Sequence, residues 1–150
     1  MQFSKASTYG IRSVVYIAAQ QERRIISVRE LSGRLQISAA FLTKVMQRLA
    51  AGEIVRTIRG FGGGVALAKP ASVITLKDII MAIDGEKAFE PFWLGIPEEQ
   101  MLKTPDFHRK WKDLNGRIDT FFSTTRFTEL TPQPITGLSP LSDDETTASF

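Results

Sequence analysis

The chain is 150 residues long, 43% hydrophobic and 23% charged, with a net charge of +3 and no cysteine. This length accommodates one domain, or one domain with an appendage, and the lack of cysteine excludes disulfides and thiolate-held metal. Residues 1–70 carry 11 Lys/Arg against 3 Asp/Glu, whereas residues 71–150 carry 8 against 13, which fits a polyanion-facing module joined to a segment with another task, or simply a basic solvated surface.

In chain order, residues 5–21 read as a helix with Tyr9, Val14, Ile17 and Ala18 along one stripe, although Gly10 weakens it. Its apolar run, Val14 to Ala19, is too short to cross a bilayer and lacks a signal-peptide cleavage pattern, so no membrane association and a cytoplasmic location are expected. Ser27 with Glu30 forms a capping box that opens a short helix to about Leu35. Ser38 then caps "AAFLTKVMQRLAA", and Gly52 is expected to stop that helix by taking the left-handed conformation. Two short helices around a tight turn holding Ile37 make a helix-turn-helix.

The second of these helices has two faces. Leu42, Val45, Met46 and Leu49 fall at core-facing spacing, while Ala40, Thr43, Lys44 and Gln47 repeat that spacing on the other side. Small residues allow close approach to a major groove, Lys44 suits phosphate or guanine, and Gln47 suits an adenine edge. The competing reading is the wet side of an ordinary surface helix.

Residues Ile54 to Arg59 and Val65 to Lys69 read as two strands around "GFGGG". A helix-turn-helix followed by a hairpin is the winged-helix order, and the hairpin tip then offers Arg59 to a narrow minor groove. A nucleotide-binding enzyme would need the glycines between a strand and a helix. Here they lead into "VALAKP", a strand ended by Pro70, and no acid, base and nucleophile set surrounds the single histidine. No catalytic activity is expected.

Thr75 with Asp78 opens a further helix ended by Gly85. Residues 86–104 lack a clean period and read as a long loop holding Phe89, Phe92 and Trp93, a possible effector region or a packing contribution to the core or a dimer contact. Thr104 and Pro105 are expected to cap and start a helix from 105 to about 124. Phe107, Trp111, Leu114, Ile118 and Phe121 follow one another at spacings that form a heptad seam, so this helix is expected to pack on its symmetry mate. A short turn including Phe127 and Leu130 follows, and residues 131–150, rich in Pro, Ser, Thr and acid, read as a disordered tail.

Three stretches together, "YGIRSVVYIA", "ISAAFLTKVMQRLAAGEIV" and "VRTIRGFGGGVALAKPASVITLKDIIMAIDG", resemble the Rrf-type winged-helix regulators, of which IscR, NsrR, RirA and CymR are branches. The resemblance covers residues 1 to about 130. It implies a mainly α fold with a small β-hairpin: a winged helix-turn-helix DNA-binding domain over 1–85, the aromatic loop 86–104 and a dimerisation helix over 105–130. It further implies a homodimeric transcription regulator of double-stranded DNA, acting as a repressor, with the second helix of the helix-turn-helix in the major groove and the wing in the minor groove. The positions that would read DNA are Ala40, Phe41, Thr43, Lys44 and Gln47, with Arg59 and Gly60 at the wing and Ser38 and Arg56 on phosphates. Many relatives hold an iron–sulfur cluster on three cysteines, and the matching window here, Glu86 to His108, has none. A cysteine-less member without a cluster is therefore expected, its signal a small molecule or a partner protein. His108 is expected to be a helix-surface or interface residue. The alternative is a winged-helix scaffold for protein contacts without specific DNA binding.

Overall fold

In the computed structural model, which describes residues 3–20, 25–90 and 96–130, the chain is mostly helical with one two-stranded antiparallel hairpin. Helix α1 (Lys5–Ala19) begins at Ser4, whose hydroxyl accepts from the Ser7 amide and satisfies one of the free amides of the first turn. Gly10 lies inside this helix at a cost of about 1 kcal/mol relative to alanine. The reason is packing against α4 (Leu76–Asp84): a Cβ on Gly10 would collide with the Ile83 side chain.

Helix α2 (Val28–Leu35) starts at Ser27, which accepts from the Glu30 amide at 3.0 Å, as expected from the sequence. The Glu30 carboxylate also takes a contact from the Tyr16 hydroxyl at 3.4 Å, which ties α2 to α1. Gln36 turns the chain with a positive φ of 55°. Ser32 then locks the turn twice, its carbonyl accepting from the Ile37 amide and its hydroxyl donating to the Ile37 carbonyl. Helix α3 (Ala39–Ala51) follows with Ser38 as its cap and buries Leu42, Val45, Met46 and Leu49, the four positions that periodicity selects.

The end of α3 differs from the sequence reading. Gly52 has φ −84° and the left-handed residue is Glu53, at φ 56°. Glycine is needed at 52 for space, since a Cβ there would stand 2.6 Å from the Ala82 Cβ on α4. The non-glycine residue next to it carries the reversal, held by Glu53 N–H to the Ala50 carbonyl and Ile54 N–H to the Leu49 carbonyl.

Strands β1 (Val55–Ile58) and β2 (Gly64–Leu67) pair from Val55 opposite Leu67 to Ile58 opposite Gly64. Ile26 adds a third rung on the far side of β2, exchanging both backbone hydrogen bonds with Val65 at 2.8 and 2.9 Å. Gly64 permits this approach, because a Cβ there would strike the Ile26 backbone. After a 3₁₀ turn at Ala71–Val73, α4 opens with a complete capping box between Thr75 and Asp78 and ends at Gly85, φ 75°.

Residues 86–104, read from sequence as a loop, contain a 3₁₀ turn at Glu86–Phe89 and the short helix α5 (Glu98–Leu102), whose Met101 is buried. Helix α6 (Pro105–Thr124) has Pro105 in its first turn, but Thr104 does not cap it: its hydroxyl is turned back to the Gln100 and Met101 carbonyls. The hydroxyl thus closes α5 instead of opening α6. Finally α7 (Phe127–Leu130) returns to the N-terminal half. Leu76 N–H donates to the Thr125 carbonyl and Phe127 N–H to the Ile74 carbonyl, seating Phe127 wholly buried in the main core with Val14, Ile26, Leu42, Leu49, Val65 and Ile79. Residues 131–150 lie outside the described residues.

Candidate nucleic-acid interface

The faces of α3 are set by its core side. With Leu42, Val45, Met46 and Leu49 turned inward, Ala40, Phe41, Thr43, Lys44 and Gln47 are all left exposed. The Thr43 hydroxyl donates to the Ala39 carbonyl at 2.8 Å while the residue stays exposed. Phe41 is more constrained than a free reading residue. Its ring meets Tyr9 of α1 edge-to-face at 5.7 Å, and the Arg12 guanidinium lies 6.0 Å over the same Tyr9 ring. Part of the Phe41 side chain therefore serves α1–α3 packing. At the start of the helix the Ser38 hydroxyl accepts from the Phe41 amide at 3.3 Å, and no acidic side chain occupies the first turn, which leaves the positive end of the helix dipole uncompensated.

On the opposite flank Arg48 donates to the Ile83 carbonyl at 3.1 Å and orients α3 against α4. Asp84, the last residue of α4, closes the same corner. It accepts from the Ser4 amide at 2.8 Å and from the Ser4 and Ser7 hydroxyls. Partial burial pulls the Asp84 carboxyl upward, but the Ser4 and Ser7 hydrogen bonds and the positive charge of Arg48 outweigh it and hold its pKa below the usual carboxylate value. A carboxylate is unfavourable at the C-terminus of α4 and favourable at the N-terminus of α1, and the serines mark the second effect as the stronger.

The hairpin leaves α3 through Glu53, and its turn begins at Gly60, five residues beyond Val55, a reach of about 16 Å. At the tip, Gly63 N–H donates to the Gly60 carbonyl at 3.0 Å, closing the turn Gly60–Phe61–Gly62–Gly63. Gly60 (φ 92°) and Gly62 (φ 73°) take conformations that other residues rarely adopt. Arg59 and Gly60 are exposed, as is Arg56 on β1. Arg56 and Lys69 line an open cleft of about 600 Å³ together with Glu53 and Thr57, so Arg56 belongs to the base of the wing. Sequence reasoning passed over Phe61, which stands fully exposed at the apex (relative exposure 112%). A large apolar residue between glycines was the available signal.

The seam of α6 stands largely open to solvent. No residue of this 20-residue helix is buried, and Phe107, Leu114 and Phe121 are 37%, 47% and 56% exposed. Trp111 stacks on Phe107 with ring centroids 6.2 Å apart, and Ile118 is half-buried. The neighbouring face meets the protomer: Asp119 pairs with Lys77 of α4 at 2.6 Å, and Phe122 packs on Phe3 and Phe89. Phe89, one of three aromatics proposed for an effector region, thus belongs to a three-ring cluster, with the Lys77 ammonium 5.2 Å over its face. Phe92 and Trp93 lie outside the described residues. His108 is half-buried on α6.

A helix-turn-helix with a basic, exposed second helix, continued directly by a glycine-tipped hairpin, is the architecture of a winged helix-turn-helix transcription regulator. Residues 3–133 match the Rrf2 family, described as iron-dependent transcriptional regulators, and the chain belongs to that family. It is 31% identical over 133 residues to a protein of Aquifex aeolicus (strain VF5) named as an HTH-type transcriptional regulator, covering 87% of this chain and 91% of that one. Among solved structures, CymR (YrzC), the global cysteine regulator of B. subtilis, shares the fold with a TM-score of 0.73 at 21% identity, over 87% of this chain and 95% of that one. IscR of T. potens matches with a TM-score of 0.65 at 18% identity, over 87% and 85%.

The family's description implies iron, and the donor set of this chain does not fit a thiolate-held centre. The sequence has no cysteine and one histidine. Among the described residues no group of three or more His, Asp or Glu could hold a metal ion. No helix among them is long and apolar enough to cross a membrane.

Proposed function

We propose that this protein is a cytoplasmic, sequence-specific repressor that binds double-stranded DNA as a homodimer, α3 in the major groove and the wing in the minor groove, without an iron–sulfur cluster. The observation that carries this reading is the outward face of α3, where Ala40, Thr43, Lys44 and Gln47 are exposed together on the helix that leads into the Arg59-bearing wing. Ala40 and Thr43 keep the surface low enough for close approach to base edges, and Gln47 has the paired donor and acceptor that adenine requires. Lys44, Arg56 and the uncompensated N-terminus of α3 at Ser38 suit phosphates, and these fix register without reading sequence. Arg59, beside Gly60, suits the concentrated negative potential of a narrow A/T-rich minor groove.

The exposed seam Phe107, Trp111, Leu114, Ile118 and Phe121 supports pairing of α6 with its counterpart in a second copy. With no cluster to report on, the signal is a small molecule or a partner protein acting on the dimer.

Selection of bound duplexes from a random pool tests the reading. A regulator of this kind returns a two-fold symmetric site whose half-site spacing reflects the dimer. On that site Arg59→Ala should weaken binding by about 1–3 kcal/mol, most where the minor groove is A/T-rich, whereas Gln47 and Thr43 variants should change base preference. Recovery of no preferred sequence, with equal weak binding of wild type and Arg59→Ala to every duplex, would favour a protein-contact scaffold.

A further inference from the structure

Phe61 is left unexplained by the fold. It is the most exposed of the large apolar side chains described, while every other phenylalanine described has a ring partner, a partly covered ring or a place in the core. An apolar ring held wholly in water contributes nothing to folding and carries a solubility cost. Its surroundings are nevertheless closely specified. The turn that lifts it is closed by Gly63 N–H to the Gly60 carbonyl, and the positive φ of Gly62 is what a type II turn requires at its third residue. Gly63 and Gly64 are fixed as glycines by crowding, since a Cβ on either would strike the backbone of Ile58 or Ile26. Gly60 and Gly62 meet no such crowding. The result is one ring standing alone on a braced hairpin, with no other side chain between Arg59 and Val65.

We infer that Phe61 is an apolar wedge that enters the minor groove next to Arg59 and partly unstacks one base step. The inference rests on the DNA-binding reading given above and adds a second kind of specificity to it. A wedge pays for unstacking, and the cost is lowest at flexible pyrimidine–purine steps. The wing would then select TA or CA steps by deformability while Arg59 selects narrow flanking groove by charge. The glycines on both sides matter here, because their positive φ values let the turn form and they leave the ring without a neighbouring side chain.

The charge contact and the apolar contact separate experimentally. Neutralising a phosphate-facing or groove-facing cation changes the salt dependence of binding, whereas removing an apolar ring does not. The site recovered by selection is prepared with 2-aminopurine replacing one adenine at a time at each TA or CA step, and binding and fluorescence are followed at several salt concentrations. Wild type should raise fluorescence at one step per half-site. Phe61→Ala should abolish that rise and weaken binding on the order of tenfold with an unchanged salt slope. Phe61→Leu should retain the rise, and Arg59→Ala should lower the slope by about one. Because Phe61 is fully exposed, the variants should keep the unfolding midpoint of the wild type. If Phe61→Ala binds within twofold of wild type, or gives the same fluorescence rise, the wedge is wrong while the DNA-binding reading stands. A loss of self-association in Phe61→Ala with DNA binding intact would likewise overturn it, in favour of contacts between copies. If wild type itself selects no site, the underlying reading fails instead.

Discussion

Helices α3 and α6 are both amphipathic, yet their apolar faces meet different surroundings. In α3 the four apolar positions of one stripe are all at most 2% exposed, and the polar side is all that remains for a ligand. In α6 the apolar positions Phe107, Leu114 and Phe121 keep a third or more of their surface in water, while polar Asp119 and the flanking Phe122 make the contacts to the protomer. Periodicity identifies an apolar face in each case and is silent on what covers it. A face covered by the protomer makes a domain, and a second chain is the cover proposed for the one left open.

The sharpest break of this comparison targets Phe127, the residue through which the C-terminal segment joins the core that α3 helps to form. Phe127→Ala removes a wholly buried ring and should destabilise the protomer by about 3–5 kcal/mol in urea unfolding. Leu114→Ala, on the open face, should change the protomer's own stability by no more than about 0.5 kcal/mol. Equal losses would mean that the seam is already part of the protomer core.

Next in size is the seam itself. Ile118→Glu combined with Phe121→Glu places charges where a second α6 would pack, which should weaken self-association by at least about 2 kcal/mol. Light scattering at a concentration well above the wild-type dissociation constant and below the weakened one should then report a mass approaching half that of the wild type. An unchanged mass would remove the dimer from the proposed function and require another cover for the seam.

The depressed pKa of Asp84 gives a third test, on the α3 side of the comparison. A carboxyl with a lower pKa folded than unfolded stabilises the fold above its unfolded value, about 3.9, and that stability is lost as pH falls through this value toward the folded one. Urea midpoints between pH 6 and pH 3 should therefore decline for wild type. Asp84→Asn should start lower at pH 6, having lost the ionic acceptor of Ser4 and Ser7, and should follow a shallower acid limb. Parallel limbs would assign the acid sensitivity to other carboxylates.

What was legible in the sequence was what is local. Ser27, Ser38 and Thr75 cap the helices they were expected to cap, Gly85 ends α4, and the hairpin lies around the glycine run. Except at Thr104, the misses involve contacts distant in sequence. Ile26 on β2 and Phe127 in the core depend on partners tens of residues away. Gly52 was assigned to backbone conformation when the deciding atom is a Cβ on α4. Thr104 had the right identity for a cap, but its hydroxyl donates to the Gln100 and Met101 carbonyls of α5 and accepts from no first-turn amide of α6. At the candidate site the same division holds. The exposed face of α3 followed from its buried face, whereas the Phe41–Tyr9 contact and the isolation of Phe61 required the fold.

The smallest effect is expected where α6 touches the protomer that α3 helps to form. Lys77 of α4 and Asp119 of α6 form a 2.6 Å ion pair, but their side chains are 32% and 50% exposed, so water competes for both charges. Asp119→Ala should cost about 0.5 kcal/mol or less, and less still in 1 M salt, where screening is nearly complete. Lys77 also sits over the Phe89 ring, a contact that survives the loss of Asp119. Lys77→Ala should therefore cost more than Asp119→Ala, and the difference should persist in high salt. If instead both variants cost the same and both effects vanish with salt, the aromatic cluster of Phe3, Phe89 and Phe122 holds α6 to the protomer without help from the cation. The angle at which α6 presents its open seam would then be set by ring packing alone.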